Sequence, residues 1–150
     1  MKTSRTVLWA ALAGASLTLS LATAAVSAGS VVEERQATMK GVGQSMKEAS
    51  GLSSAFDAAK AKSTMDAVAG AAKKLKTLYP AESASDPKTA ADPTVWQNKA
   101  DFDKRLAEMG TLATAAGKAK DADSFKTSFK ALGDTCKSCH DVYRMKKKPA

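Results

Sequence analysis

The sequence predicts an all-α fold, an antiparallel four-helix bundle, on three observations. Alanine and lysine dominate the chain beyond its N-terminal stretch, runs of β-branched residues are absent, and apolar residues recur at three- and four-residue steps. Before the first helix, Lys2 and Arg5 form a basic head, and an uncharged apolar run follows from Val7 to Leu21. Small residues come next, at Ala22-Thr23-Ala24 and Val26-Ser27-Ala28. This is the pattern of a secretory signal peptide, too short and wrongly flanked for a stable membrane anchor. Cleavage is expected after Ala24 or Ala28, with Ala28 preferred. That leaves residues 29–150 as one exported domain large enough for its own core, with no membrane span and the bacterial periplasm as its expected compartment.

The elements follow in order. A first helix over about 30–50 places Val32, Arg35, Met39, Val42, Met46 and Ala49 on one stripe, and Gly51 is the expected C-cap glycine. A second over about 54–79 aligns Met65, Val68, Ala72, Leu75 and Tyr79 and is stopped by Pro80. Residues 81–92, polar and interrupted by Pro87, read as a long loop. Asp92-Pro93 then reads as an N-cap followed by a first-turn proline. The third helix aligns Phe102, Leu106, Met109, Ala113 and Ala116 and is closed by Gly117. The fourth runs over about 121–146 with Phe125, Phe129, Leu132, Cys136, Cys139 and Tyr143 on one face. Four helices with mostly short connections make a bundle.

The chemistry is concentrated near the C-terminus, in Cys136-Lys137-Ser138-Cys139-His140. Cys-x-x-Cys-His is the attachment signature of a c-type haem: the thiols add to the haem vinyl groups and the histidine coordinates the iron. These are the only cysteines and the only histidine in the chain, so no second imidazole can serve as a sixth ligand. On a helix, Cys136, Cys139 and His140 project from one face, which continues the apolar stripe. A redox disulfide is the first alternative, but such motifs follow a strand in a βαβ setting, which this pattern lacks. Zinc is the second, but it wants four ligands and the chain offers three. Export agrees with haem c chemistry, since cysteine oxidation belongs to that compartment.

With these residues in view, the mature chain resembles the class II c-type cytochromes, the cytochrome c′ and cytochrome c556 group. The similarity rests on the motif near the C-terminus followed by Asp141-Val142-Tyr143-Arg144. It rests also on Arg35-Gln36-Ala37-Thr38-Met39-Lys40 and on Pro93-Thr94-Val95-Trp96. The resemblance implies one covalent haem c with thioether bonds at Cys136 and Cys139 and axial ligation by His140. It implies haem and propionate contacts from Arg35 and Gln36, and a further propionate contact from Thr89. Arg144 is expected beside the proximal haem face. Met39 matches the position facing the distal side: relatives whose methionine reaches the iron are six-coordinate electron carriers, and others leave the iron five-coordinate. The resemblance further implies a homodimer formed through the first two helices.

The formal net charge is +8, of which Lys2 and Arg5 leave with the signal peptide. A basic surface steers a protein toward acidic partners. Nucleic acid is excluded as a partner: the lysines are scattered, no aromatic platform accompanies them, and the chain is exported. Lys146-Lys147-Lys148 reads as a solvated tail. The expected function is single-electron transfer with periplasmic redox partner proteins. The alternative is a five-coordinate haem module that binds nitric oxide or carbon monoxide. An enzyme is not expected, because a peroxidase wants a polar acid–base group over the iron and no distal histidine exists.

Overall fold

The computed structural model describes residues 28–146. The stretch expected to be a signal peptide, apart from Ala28, and most of the lysine tail lie outside the described residues. Five helices are present among them: α1 (Ala28–Ser50), α2 (Ala58–Leu75), a short α3 (Thr94–Gln97), α4 (Lys99–Gly117) and α5 (Ala122–Tyr143). The four long ones form the antiparallel bundle. The α2–α4 interface is the most extensive, followed by α4–α5 and α1–α2, whereas α1 and α5 share little direct contact. No helix of the described residues is long and apolar enough to cross a membrane.

Most residues of the expected stripes are buried, while Met39, Met46, Phe129, Cys136 and Cys139 are half-buried. Val32, Arg35, Val42 and Ala49 of α1, Met65, Val68, Ala72 and Leu75 of α2, and Phe102, Leu106, Met109, Ala113 and Ala116 of α4 are all buried, as are Phe125, Leu132 and Tyr143 of α5. They gather into two apolar clusters. One centres on Met65, Val68, Met109, Phe125 and Leu132, the other on Tyr79, Val95, Phe102, Leu106 and Tyr143. In the second cluster Phe102 meets Tyr79 and Tyr143 edge-on, with ring centroids 4.6 and 5.2 Å apart.

Several helix ends differ from expectation. Gly51 opens a 3-10 turn, Gly51–Ser53, and no described glycine has positive φ, so α1 ends without a left-handed cap. The second helix begins later than expected, because the Asp57 side chain accepts from Lys60 N and caps it there. It also ends earlier: a turn follows Leu75, with Thr77 N donating to Lys74 O, and Tyr79 lies beyond the helix. The loop 81–92 contains a 3-10 turn at Ala81–Ser85. Asp92 does cap, its Oδ1 accepting from Thr94 N at 3.0 Å. The helix it opens breaks at Asn98 (φ −120°, ψ 45°), so the expected third helix is two helices, α3 and α4. In α5, Asp121 and Ser124 form a reciprocal capping box. That helix stops at Tyr143 because Arg144 turns extended and pairs with Ala91.

Gly117 closes α4 as expected, but its conformation is ordinary and its value lies in packing. A Cβ added there would stand 3.1 Å from Met65 Cβ and 3.6 Å from the Lys62 backbone. Neither neighbour can swing away, so α2 and α4 would have to separate. Gly117→Ala should therefore lower stability by about 1–3 kcal/mol. Gly70→Ala, at an exposed helical position with nothing within 4 Å of the added atom, should raise it by about 0.5–1 kcal/mol. Urea unfolding of both variants checks the pair; equal and favourable shifts would mean that the interface tolerates the extra methyl.

Candidate cofactor site

Cys136, Cys139 and His140 occupy the last two turns of α5 and share one side of it. The two cysteines are half-buried free thiols. Cys136 packs on the first apolar cluster and Cys139 on the second. Burial pushes both thiols above their ordinary range. That disfavours the thiolate on which disulfide exchange and zinc binding depend. His140 stands exposed at the cavity mouth. Desolvation by the pocket wall, and then the neighbouring Arg144 charge, draw its pKa down, which favours the neutral imidazole that ligates metals. Among the described residues, no group of three or more His, Cys, Asp or Glu is gathered to hold a bare metal ion.

The motif faces a cavity of about 480 Å³, within the size range of cofactor pockets. α1 supplies one wall with Arg35, Gln36, Met39, Lys40, Val42, Gly43 and Met46. α5 supplies the other with Cys136, Cys139, His140 and Tyr143, and Arg144 follows it. Tyr79, Ala90, Ala91 and Phe102 complete the lining. The sequence thus brings Met39 and His140 to one cavity from helices a hundred residues apart along the chain. Arg144 lines the cavity as expected, though from an extended segment beyond the helix rather than from the helix itself.

Arg35 is only 4% exposed. Its guanidinium donates to Leu78 O (3.1 Å), Ser83 Oγ (3.3 Å) and Thr89 Oγ1 (2.7 Å), all neutral acceptors. It also lies 4.5 Å from the centre of the Tyr79 ring. Burial lowers its pKa, opposed by Tyr79 and by Asp86, and the same burial pushes the Tyr79 hydroxyl up to about 12. Gln36 Nε2 donates to Lys88 O at 2.8 Å. Thr89 lies behind Arg35 and is not part of the cavity lining; its hydroxyl oxygen accepts from Arg35 and from Ala91 N. Tyr143 also donates to Asp101 Oδ2 at 2.6 Å, and Asp101 pairs with Arg105.

The lining suits a haem. Two thiols and an imidazole stand on one wall, a thioether on the other, apolar side chains make up most of the rest, and a buried cation without a hydrogen-bonded carboxylate stands ready for an acidic substituent. Sequence reasoning did not pick out Tyr79, Phe102, Ala90 and Ala91 as site residues. Phe102 and Tyr79 were legible only as core, and nothing local marks two loop alanines as a wall.

Comparison with known proteins agrees with this arrangement. The family model for cytochrome C′ matches residues 30–144. Cytochrome c′ of Rhodopseudomonas palustris is 38% identical over 127 residues, covering 82% of this chain and 87% of that protein. Cytochrome c-556 of Agrobacterium fabrum is 36% identical over 132 residues, covering 85% and 89%. The solved structure of cytochrome c′ from Rhodopseudomonas palustris superposes with a TM-score of 0.73 at 38% identity, over 79% of this chain and 98% of that one. A solved cytochrome c′ described as having an unusual ligand-controlled dimer dissociation matches with a TM-score of 0.74 at 28% identity, over 82% and 100%. From the motif, the cavity and these likenesses together, the chain belongs to the cytochrome c′ family of proteins that bind haem c and its iron.

Proposed function

We propose that residues 1–28 are a signal peptide and that residues 29–150 form a periplasmic domain carrying single electrons through its haem. The observation that carries this reading is the lining of the cavity. Among the described residues it contains no carboxylate and a single imidazole, His140, so it offers iron a burial site and little acid–base machinery. The haem supplies an iron that passes between ferrous and ferric states by one electron. Cys136 and Cys139 hold the haem through thioether bonds, and His140 ligates the iron from α5. Arg35 and Gln36 face its acidic substituents. The apolar side chains of α1 and Phe102 exclude water, which keeps the charge change from reorganising solvent. No catalysed reaction is assigned.

Met39 governs the distal side. Its flexible thioether lines the cavity on α1 and packs against the second apolar cluster. As an iron ligand it would raise the reduction potential and close the iron to gases. A second reading, binding of nitric oxide or carbon monoxide, is favoured by Gly43, one turn after Met39. It lines the same cavity with open space around its missing side chain. Dimerisation through α1 and α2 belongs to the same proposal. It is supported by the family resemblance and by the dimer described for one similar structure.

Three measurements test this. A reversible one-electron couple in the isolated holoprotein, with little response of its spectrum to carbon monoxide, is expected of an electron carrier. Rapid carbon monoxide binding to high-spin iron would shift the assignment to the gas-binding reading. With Met39 as a ligand, Met39→Ala should turn low-spin iron high-spin, lower the potential and admit carbon monoxide; an unchanged spin state removes Met39 from the coordination sphere. Replacing both Cys136 and Cys139 by alanine should leave haem that acidified organic solvent extracts, whereas the unaltered protein retains its haem. Retention by the double variant would refute thioether attachment at these positions.

A further inference from the structure

Segment 88–94 grips both walls of the cavity. Toward α1, the Lys88 carbonyl accepts from Gln36, Lys88 Nζ pairs with Glu33 at 3.0 Å, and Thr89 Oγ1 accepts from Arg35 at 2.7 Å. Toward the end of α5, Ala90 O accepts from Met145 N (3.0 Å) and Asp92 N donates to Tyr143 O (2.9 Å), while the Thr94 hydroxyl shares its one proton between Asp92 Oδ1 (2.8 Å) and Val142 O (3.2 Å). The two grips meet at Thr89, whose hydroxyl oxygen also accepts from Ala91 N at 3.2 Å, and Ala91 is the residue that bridges to Arg144. A single side-chain oxygen therefore joins the guanidinium on α1 to the segment that anchors the C-terminal end of α5.

This link has mechanical weight because of what lies between the helices. Packed helices ordinarily set their own separation through interlocking side chains. α1 and α5 share little direct contact, and the cavity lies between them. At this end, segment 88–94 adds a direct tie between them to the indirect one that runs through α2 and α4. Met39 follows Arg35 by four residues on the same stiff helix, and His140 precedes Tyr143 by three on the other. A shift at the Arg35–Thr89 contact is thus carried to the residue facing the distal side of the iron.

We infer that Thr89 is a positioning residue, which sets the separation of Met39 from His140 and through it the spin state and ligand access of the iron. This rests on the reading that haem lies between those two side chains, but not on the choice between electron transfer and gas binding.

The test uses the haem-loaded protein and three variants: Thr89→Val, which keeps the shape and removes the hydroxyl, Thr89→Ser, which keeps the hydroxyl, and Met39→Ala. Spin state, midpoint potential and carbon monoxide affinity are read for each. Thr89→Val should change the carbon monoxide dissociation constant roughly threefold or more, or visibly alter the spin-state balance. Thr89→Ser should stay near the unaltered protein. If Thr89→Val keeps all three readings while only its melting temperature falls, Thr89 is a loop staple and the inference is overturned. The same follows if Thr89→Ser behaves like Thr89→Val. If Thr89→Val does not load haem, Thr94→Val loosens the α5 end of the same segment and is judged by the same readings. Readings that respond to Met39→Ala but not to Thr89→Val defeat this inference alone; readings that ignore Met39→Ala defeat the distal-site assignment beneath it.

Discussion

Arg35 carries a full positive charge into the interior of the protein without a carboxylate hydrogen-bonded to it, and the arrangement of the site follows from how that charge is accommodated. Burying an ion costs several kcal/mol even after relaxation, and a guanidinium cannot escape by losing its proton. Each hydrogen bond to a charged group returns about 1.5–3 kcal/mol. Three neutral oxygens, Leu78 O, Ser83 Oγ and Thr89 Oγ1, together with the face of Tyr79, are therefore needed to hold it. All of them lie on residues 78–89, so this otherwise polar stretch has to wrap over α1. Ion pairs between residues four apart, such as Lys130–Asp134 and Lys137–Asp141, lie on exposed helix faces and decide nothing of this kind.

Once wrapped, the stretch ends at Asp92 and the α3 turn, where Trp96 Nε1 donates to Pro80 O. From there it reaches the C-terminal end of α5. The bundle is thus conventional at the α2–α4 interface, where Gly117 lets the helices approach closely, and open between α1 and α5. A flat, mostly apolar cofactor belongs in such a gap. The close-packed side supplies rigidity, and the open side supplies a slot whose walls come from opposite ends of the chain.

Much of the fold was legible because helix formation is a local matter. The apolar stripes at three- and four-residue steps mark the residues that the bundle buries, and Asp92 before Pro93 marks a helix start where one is found. The helix ends were less legible. Gly51 and Gly117 look alike as helix-closing glycines, yet neither has a left-handed conformation, and Gly117 matters for a neighbour on another helix. The early stop at Tyr143 likewise depends on a distant segment, the pairing of Arg144 with Ala91, which no window of sequence contains.

By itself the sequence determined the cofactor class and the wall that carries the Cys-x-x-Cys-His motif. Cys136, Cys139 and His140 are fixed relative to one another by covalent neighbourhood and helical pitch, which need no tertiary contact. Only the tertiary structure decided what faces them. Met39 reaches the same cavity because Arg35, one turn earlier, is tied to Thr89, fifty-four residues on, and Thr89 through Ala91 to the end of α5. Arg35 itself, which composition alone would leave as an exposed helix arginine, is buried for that purpose. Local pattern specifies which groups can do the chemistry; the long-range balance between a desolvated charge and its scattered acceptors sets how far apart they stand.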